Sequence, residues 1–286
     1  MLNKKIAFIG SGAMAEAMIA GLLLRGLAKP GDLLAADTHS KRVEDLHKKY
    51  GIQPFTDNRL ASVEADVVVL SVKPQRLTEV LTTLKGGIPE GALVLSIVAG
   101  ATIDKISKGL KHAAIVRSMP NTPAQIGKGI TVWMASPSAD EEQKETARSI
   151  LAALGGEIQV DDENYLDMAT ALSGTGPAYV FMFMEAMIDA GVHMGFSRSV
   201  SEQLVVETLK GSVDYFQSIN EQTGIHVAAL RNQVTSPGGT SAEALYYLEK
   251  AGFRTAISRA IWAAYQRTIE LGKEKPVHIP ESNSHE

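Results

Sequence analysis

The 286-residue sequence contains no cysteine. That excludes disulfides, thiolate nucleophiles and cysteine-ligated zinc or iron–sulfur sites, and it suits a reducing compartment without requiring one. A basic excess is missing as well. The 28 Lys and Arg are scattered among 32 Asp and Glu, for a formal net charge of −4. The electrostatic footprint of a nucleic-acid binder is therefore absent, and small molecules are the expected partners. No run approaches the roughly 20 uninterrupted apolar residues that span a bilayer. Even the rich stretch Ala178 to Met194 carries Glu185, Asp189 and His193. The start, Met1-Leu2-Asn3-Lys4-Lys5, leads straight into an apolar run and reads as no secretory leader. The histidines (His39, His47, His112, His193, His226, His278, His285) fall in unrelated contexts without metal-ligand spacing, so no metal site is expected. A cytoplasmic protein with neither nucleic acid nor membrane as partner is the reading of these absences.

With 45% hydrophobic and 21% charged residues, a chain of this length can bury a sizeable core and divides most naturally into two domains. From Lys5 to about Val160 the apolar runs are short: Ile6 to Ile9, Leu33 to Ala36, Val67 to Leu70, Leu93 to Ile97, Ala113 to Val116. Continuous runs of this length suit a parallel sheet covered on both faces. Between them lie helix-length segments of period near 3.6, such as Met14 to Leu24, Ser40 to Tyr50 and Pro74 to Leu84, the alternation of a doubly wound, Rossmann-type α/β fold. After Gly155-Gly156 and Asp161-Asp162-Glu163 strand-like runs stop, and helical patterns continue to about Leu271. The expected division is 1–160 as a dinucleotide-binding domain, 161–272 as an all-helical domain, and 273–286 as a disordered tail. The helix from Pro177 to Met194 is apolar around most of its circumference, with Tyr179, Phe181, Met182, Phe183, Met184 and Met187 pointing several ways. It reads as packed on several sides, by a second subunit, rather than as a cofactor box.

Gly10-Ser11-Gly12-Ala13-Met14-Ala15 matches G-x-G-x-x-A directly after a predicted strand and before a predicted helix. Gly10 would permit the tight turn and Gly12 would admit a pyrophosphate to the backbone. Ala15 would let helix and strand pack closely, and the helix N-terminus would supply N–H groups and positive dipole. An ordinary βα turn is the plainer alternative. Asp37, 22 residues after Ala15, stands where an acid bonds the adenosine ribose and disfavours a 2′-phosphate. It can equally be a turn or capping residue. Thr38, Ser40, Lys41 and Arg42 would form a phosphate pocket if Asp37 turned away. NADPH and NADH both remain open. Ser71-Val72-Lys73-Pro74 and Ile97-Val98-Ala99-Gly100 lie at strand C-termini, where open α/β sheets bind ligands. Taken alone, Lys73 would be a solvated lysine and Pro74 a helix start.

The second half contains another glycine loop, Ser236-Pro237-Gly238-Gly239-Thr240, ahead of a helix expected to begin near Ser241. Thr240 and Glu243 have capping-box spacing, which predicts a well-capped helix. Paired glycines at a helix N-terminus also form a ready site for the carboxylate of a small anionic substrate.

Met119-Pro120-Asn121-Thr122-Pro123, Leu172-Ser173-Gly174-Thr175-Gly176-Pro177-Ala178-Tyr179 and Val234-Thr235-Ser236-Pro237-Gly238-Gly239-Thr240-Ser241 resemble pyrroline-5-carboxylate reductases, and the similarity runs from Ile6 to about Gly272. The resemblance implies hydride transfer from NADPH or NADH to the C=N carbon of 1-pyrroline-5-carboxylate, giving L-proline, the last step of proline biosynthesis. It implies a homodimer whose helical domains interlock, often assembled into larger rings. It also implies cofactor contacts at Asn58, Val72-Lys73-Pro74, Val98-Ala99-Gly100 and Asn121, and a substrate-proximal acid at Glu163. On this reading Ser236, Pro237, Gly238 and Gly239 hold the substrate, and a Thr240 or Ser241 hydroxyl bonds the ring nitrogen as imine becomes amine. Two positions depart from the family pattern: Ser241 where threonine is usual, and Thr175 where serine is usual. A β-hydroxyacid dehydrogenase would need a G-x-x-x-K helix, yet Gly195, Gly211 and Gly224 each lack lysine four residues on. A non-catalytic NAD(P)H sensor is the other alternative.

Overall fold

A computed structural model describes residues 1–273 of the chain. The strands are β1 (Ile6–Ile9), β2 (Leu33–Ala36), β3 (Gln53–Phe55), β4 (Val67–Leu70), β5 (Leu93–Ser96), β6 (Ile115–Met119), β7 (Gly129–Ala135) and β8 (Gly155–Gln159). The helices among them are α1 (Ala13–Leu24), α2 (Ser40–Tyr50), α3 (Asn58–Ser62), α4 (Leu77–Leu84), α5 (Ile103–Leu110) and α6 (Glu141–Ala152). All eight strands form one sheet in the order β3-β2-β1-β4-β5-β6-β7-β8. Strand order reverses between β1 and β4, which pair in parallel, and this is the switch point where doubly wound sheets leave a crevice at their strand C-termini.

The period of two along the strands divides the core. Ile6, Phe8, Leu33, Ala35, Val67, Val69, Leu93 and Leu95 face α1, α2 and α6 on one side. Ala7, Ile9, Leu34, Ala36, Val68, Leu70, Val94 and Ile115 face α3, α4 and α5 on the other. Every residue of β1, β2, β4 and β5 is buried, which is why these strands read as continuous apolar runs. A fully buried Phe or Ile contributes about 1.5–3 kcal/mol by transfer from water.

The sheet departs from the sequence reading at its far side. β7 runs antiparallel to β6 and β8 pairs in parallel with β7, so the sheet is not wholly parallel. β7 alternates buried and half-buried residues, with Thr131 among the buried ones, and so gives no continuous apolar run. The run expected at Ala113 to Val116 forms its strand two residues later, because Ala113 instead accepts a hydrogen bond on its carbonyl from Ser136. The helix expected from Pro74 opens as a 3₁₀ turn, Pro74–Arg76, before α4 begins.

Beyond β8 lie α7 (Asn164–Ala169), a π-helical turn (Thr170–Gly174), α8 (Gly176–His193), α9 (Arg198–Thr223), α10 (Val227–Gln233), α11 (Thr240–Lys250) and α12 (Phe253–Lys273). The chain divides into two compact units, Met1–Gly176 with the segment from Ala263, and Pro177–Trp262. Within the second unit α8 and α9 approach closely where Gly191 meets Ser201; a Cβ on Gly191 would come within 2.6 Å of Ser201 Oγ. Few residues of this unit are buried in one chain. Phe181 is 60% exposed and Met182 74%, as an apolar helix awaiting a cover requires. Among the described residues no helix is long and apolar enough to cross a membrane. The tail expected at 273–286 falls outside the described residues from 274 onward, and Lys273 closes α12.

Candidate functional site

Gly10 ends β1 with φ +90°, a conformation L side chains avoid. Its surroundings demand glycine too, because a Cβ there would lie 2.7 Å from Val72 Cγ1 and 3.0 Å from the Ser71 carbonyl. Ser71 locks the approach by donating its hydroxyl to Gly10 O (2.6 Å) and Ile9 O (3.2 Å). Gly12 differs. A Cβ there would meet nothing within 4 Å, so the fold's own packing does not call for glycine at this position. Gly12 is the N-cap of α1, and no side chain caps that helix end. An open glycine beside an uncapped helix N-terminus at the switch point fits a dinucleotide pyrophosphate. Ala13 is exposed, Met14 half-buried and Ala15 buried against the sheet.

The turn is braced from outside. Ser11 is wholly buried; its N–H donates to Asp37 Oδ2 (3.0 Å) and its hydroxyl to Ala36 O (3.1 Å). Arg42 Nε donates to Ser11 O (2.6 Å), and its Nη2 reaches Gly12 O (3.4 Å) and Glu16 Oε2 (2.6 Å). Lys49 and Tyr50 close on the other Glu16 oxygen at 2.8 and 3.0 Å. The bound Lys49 ammonium, followed by Arg42 and the Tyr50 hydroxyl, holds the Glu16 carboxyl down to about 2 against the opposing effect of burial. Asp37 also accepts at Oδ1 from the His39 N–H (3.0 Å) and approaches the His39 ring (3.1 Å). Burial pushes its carboxyl up, but the N–H groups of His39 and Ser11 and the His39 ring more than offset this and hold it below the ordinary value.

The parallel strand ends bring further residues alongside. Val72 touches the Gly10 position, Lys73 is exposed, and Pro74 opens the turn after β4. Val98 is buried and Ala99 half-buried after β5. Gly100 is buried, and a Cβ there would come within 3.0 Å of Gly272 N. Asn58 is the first residue of α3, whose N-cap is Asp57. Asn121 follows β6, accepts from Ile130 N–H (3.0 Å) and donates to Ser173 O (3.2 Å) in the π-helical turn. Glu163 accepts from Ile103 N–H at the start of α5 (2.8 Å) and from Arg117 (2.9 Å), while Asp167 accepts from the other arm of Arg117 (2.5 Å). Arg117 is 3% exposed and so carries its charge into the core fully paired.

In the helical unit, Ser236 to Gly239 form a turn closed by Gly239 N–H to Ser236 O (3.1 Å). Pro237 occupies its second position and Gly238, with φ +69°, its third, the arrangement of a type II turn. The capping box expected from Thr240 does not form. Gly239 is the N-cap, α11 begins at Thr240, and no side chain caps it. Thr240 is exposed and Ser241 half-exposed at the first turn. The turn supplies the N-cap conformation before Thr240 is reached, which leaves both hydroxyls and the first N–H groups of α11 available.

A family model described as pyrroline-5-carboxylate reductase dimerisation matches residues 163–271, and one described as NADP oxidoreductase, coenzyme F420-dependent, matches residues 5–100. The pyrroline-5-carboxylate reductase of Synechocystis is 39% identical over 96% of this chain and 100% of its own length. That of Escherichia coli is 35% identical over 95% of this chain and 100% of its own. The chain belongs to the pyrroline-5-carboxylate reductase family. Solved members superpose closely: the Coxiella burnetii reductase at TM-score 0.83 and 37% identity, covering 95% of this chain and 99% of that one, and the Plasmodium falciparum reductase, with NADP bound, at 0.86 and 31% over the same shares. The helical part is thus a dimerisation region of this family, and the protein is a homo-oligomer.

Several residues that the fold brings into contact carry no local sequence signal. Glu16 follows Ala15 directly, and its partners Arg42, Lys49 and Tyr50 lie 26 to 34 residues away. Arg117 and Asp167 gave no motif, since their pairing spans 50 residues. The π-helical turn, Thr170–Gly174, overlaps the start of the Leu172 to Tyr179 motif, and such turns are frequent at functional sites.

Proposed function

We propose that this chain reduces 1-pyrroline-5-carboxylate to L-proline with hydride from NADH or NADPH, as a family member acting in proline biosynthesis. The observation that carries it is the pairing, in one chain of this family, of an open Gly12 at an uncapped α1 N-terminus with an exposed glycine turn at an uncapped α11 N-terminus. Gly10, Ser11, Gly12, Ala13, Met14 and Ala15 would hold the cofactor pyrophosphate, with Asp37 toward the adenosine ribose. Asn58, Val72-Lys73-Pro74, Val98-Ala99-Gly100 and Asn121 would border the rest. When bound, the cofactor supplies the hydride.

The protein's share is position and charge. Ser236, Pro237 and Gly239 shape the turn, the N–H groups of Gly238 and of the first turn of α11 face the substrate carboxylate, and the α11 dipole favours that anion. The Thr240 or Ser241 hydroxyl bonds the ring nitrogen as it turns from imine to amine. A solvent-protonated imine is already electrophilic, so orientation does most of the remaining work. Glu163, held by Ile103 N–H and Arg117, would be the acid near the substrate. We further propose a division into a dinucleotide domain (1–160) and a dimerisation and substrate domain (161–272), dimers joined into rings, and a cytoplasmic location.

The test mixes purified protein with pyrroline-5-carboxylate and either reduced cofactor and follows the loss of nicotinamide absorbance. Turnover with appearance of proline is expected. Cofactor binding without turnover would make the chain a sensor and overturn the assignment.

A further inference from the structure

We propose that this chain takes NADH in preference to NADPH and that Asp37 is the residue that discriminates. The inference rests on the dinucleotide reading of the Gly10-Ser11-Gly12 turn. In strand-turn-helix units of this kind, an acid at the end of the second strand meets the ribose hydroxyls and opposes a 2′-phosphate. Two arrangements would cancel that effect: an Asp37 turned away from the turn, or a cation beside it ready for a phosphate.

Neither is present. Asp37 directly follows β2, and its Oδ2 accepts the Ser11 N–H at 3.0 Å, which sets the carboxylate against the pyrophosphate turn itself. Its side chain keeps 20% exposure, so the carboxylate stays within reach of a ligand. The bonds from Ser11 and His39 favour the ionised form, and the group is an anion at neutral pH. Arg42, the guanidinium whose fork would suit a phosphate, is held on Ser11 O, Gly12 O and Glu16. Lys49 is bound to Glu16 as well. Glu16 thereby holds two cations on its own carboxylate. The His39 ring lies beside Asp37 and is 84% exposed; Lys41 is an exposed point charge on a flexible stem. Solvent screens both more strongly than it screens the part-buried carboxylate.

A 2′-phosphate carries more than one negative charge at neutral pH, so bringing it to this corner sets anion against anion. Calorimetric titration of the purified protein with NADH and NADPH tests this directly. NADH is expected to bind at least about tenfold more tightly. Asp37→Asn keeps an oxygen able to accept the Ser11 N–H while removing the charge. It is expected to bring the two affinities within about threefold, chiefly by tightening NADPH. On the unmodified protein, adenosine 2′,5′-bisphosphate should compete with NADH about tenfold less well than AMP, a measurement that does not depend on the variant folding. Equal or tighter NADPH binding by the unmodified protein would overturn the proposal and leave the dinucleotide reading intact. So would an Asp37→Asn variant that weakens both cofactors alike, because Asp37 would then only brace the turn. Binding of neither cofactor would overturn the dinucleotide reading itself.

Discussion

Two glycine loops deliver this chain to helix N-termini, and the fold finishes them differently. Gly10-Ser11-Gly12 is gripped on every side: Ser71 on the Gly10 carbonyl, Asp37 on the Ser11 N–H, Arg42 on the Ser11 carbonyl. Ser236-Pro237-Gly238-Gly239 is closed by one backbone hydrogen bond of its own, and its first three residues are exposed. The first loop is shaped by tertiary structure and the second by local turn chemistry. Damage to the first should therefore reach stability and cofactor binding together, whereas damage to the second should reach substrate alone.

The hardest test of the contrast is Gly10→Ala. The added Cβ would sit 2.7 Å from Val72 Cγ1 and 3.0 Å from Ser71 backbone, at a φ of +90°. Strain of about 1–2 kcal/mol from the backbone and a further 1–3 from overlap should lower the melting temperature by roughly 6–12 °C. Cofactor affinity should collapse at the same time. A variant that melts within about 2 °C of the parent would show that the turn yields more easily than its bracing implies.

The bracing itself is sharpened by Glu16→Gln. Because the folded-state pKa of Glu16 lies at about 2, below the ordinary 4.5, its ionised form stabilises the fold above that ordinary value. That contribution is lost as pH falls from about 4.5 toward 2. Urea unfolding should therefore find Glu16→Gln less stable by about 1–2 kcal/mol at pH 7, with solvent screening allowed for, and the difference should shrink between pH 5 and pH 3. A difference that persists unchanged at low pH would mean the loss is one of packing, not charge.

The same contrast explains what the sequence could disclose. The four wholly buried strands and the Gly10 turn were legible because burial on both faces and a tight βα turn each leave a local signature in consecutive residues. β3 and β8 were not, since they are the sheet edges and mix in exposed residues such as Gln53, Pro54, Gly156 and Gln159. The grip on the turn was equally hidden, because Ser11 meets Asp37 across 26 residues and Arg42 across 31. At the second loop the residues were legible but their division of labour was not. Capping-box spacing pointed to Thr240 as N-cap, whereas the Pro237-Gly238 turn brings Gly239 into that role first.

For the second loop the expected effect is narrower. In Gly239→Val the new Cβ would lie 2.6 Å from the Ser236 hydroxyl, which can rotate away, and 3.1 Å from the Ser236 carbonyl, which cannot do so without reshaping the turn. The substrate KM should rise about tenfold, near 1.4 kcal/mol, while NADH affinity measured by titration stays within about twofold. Parallel loss of both would place this loop under the same tertiary control as the first and erase the contrast.

The smallest effect is expected at Thr240. As an exposed first-turn residue of α11 that caps nothing, its hydroxyl contributes little to the fold, so Thr240→Val should change stability by less than about 0.5 kcal/mol. If that hydroxyl bonds the ring nitrogen during reduction, kcat/KM should fall about fivefold, near 1 kcal/mol of transition-state stabilisation. Ser241→Ala serves as the comparison, because only the hydroxyl that engages the nitrogen should show the loss. A lowered melting temperature with unchanged kcat/KM in Thr240→Val would instead make the hydroxyl a structural cap. The second loop would then depend on its helix in the way the first depends on Asp37 and Arg42.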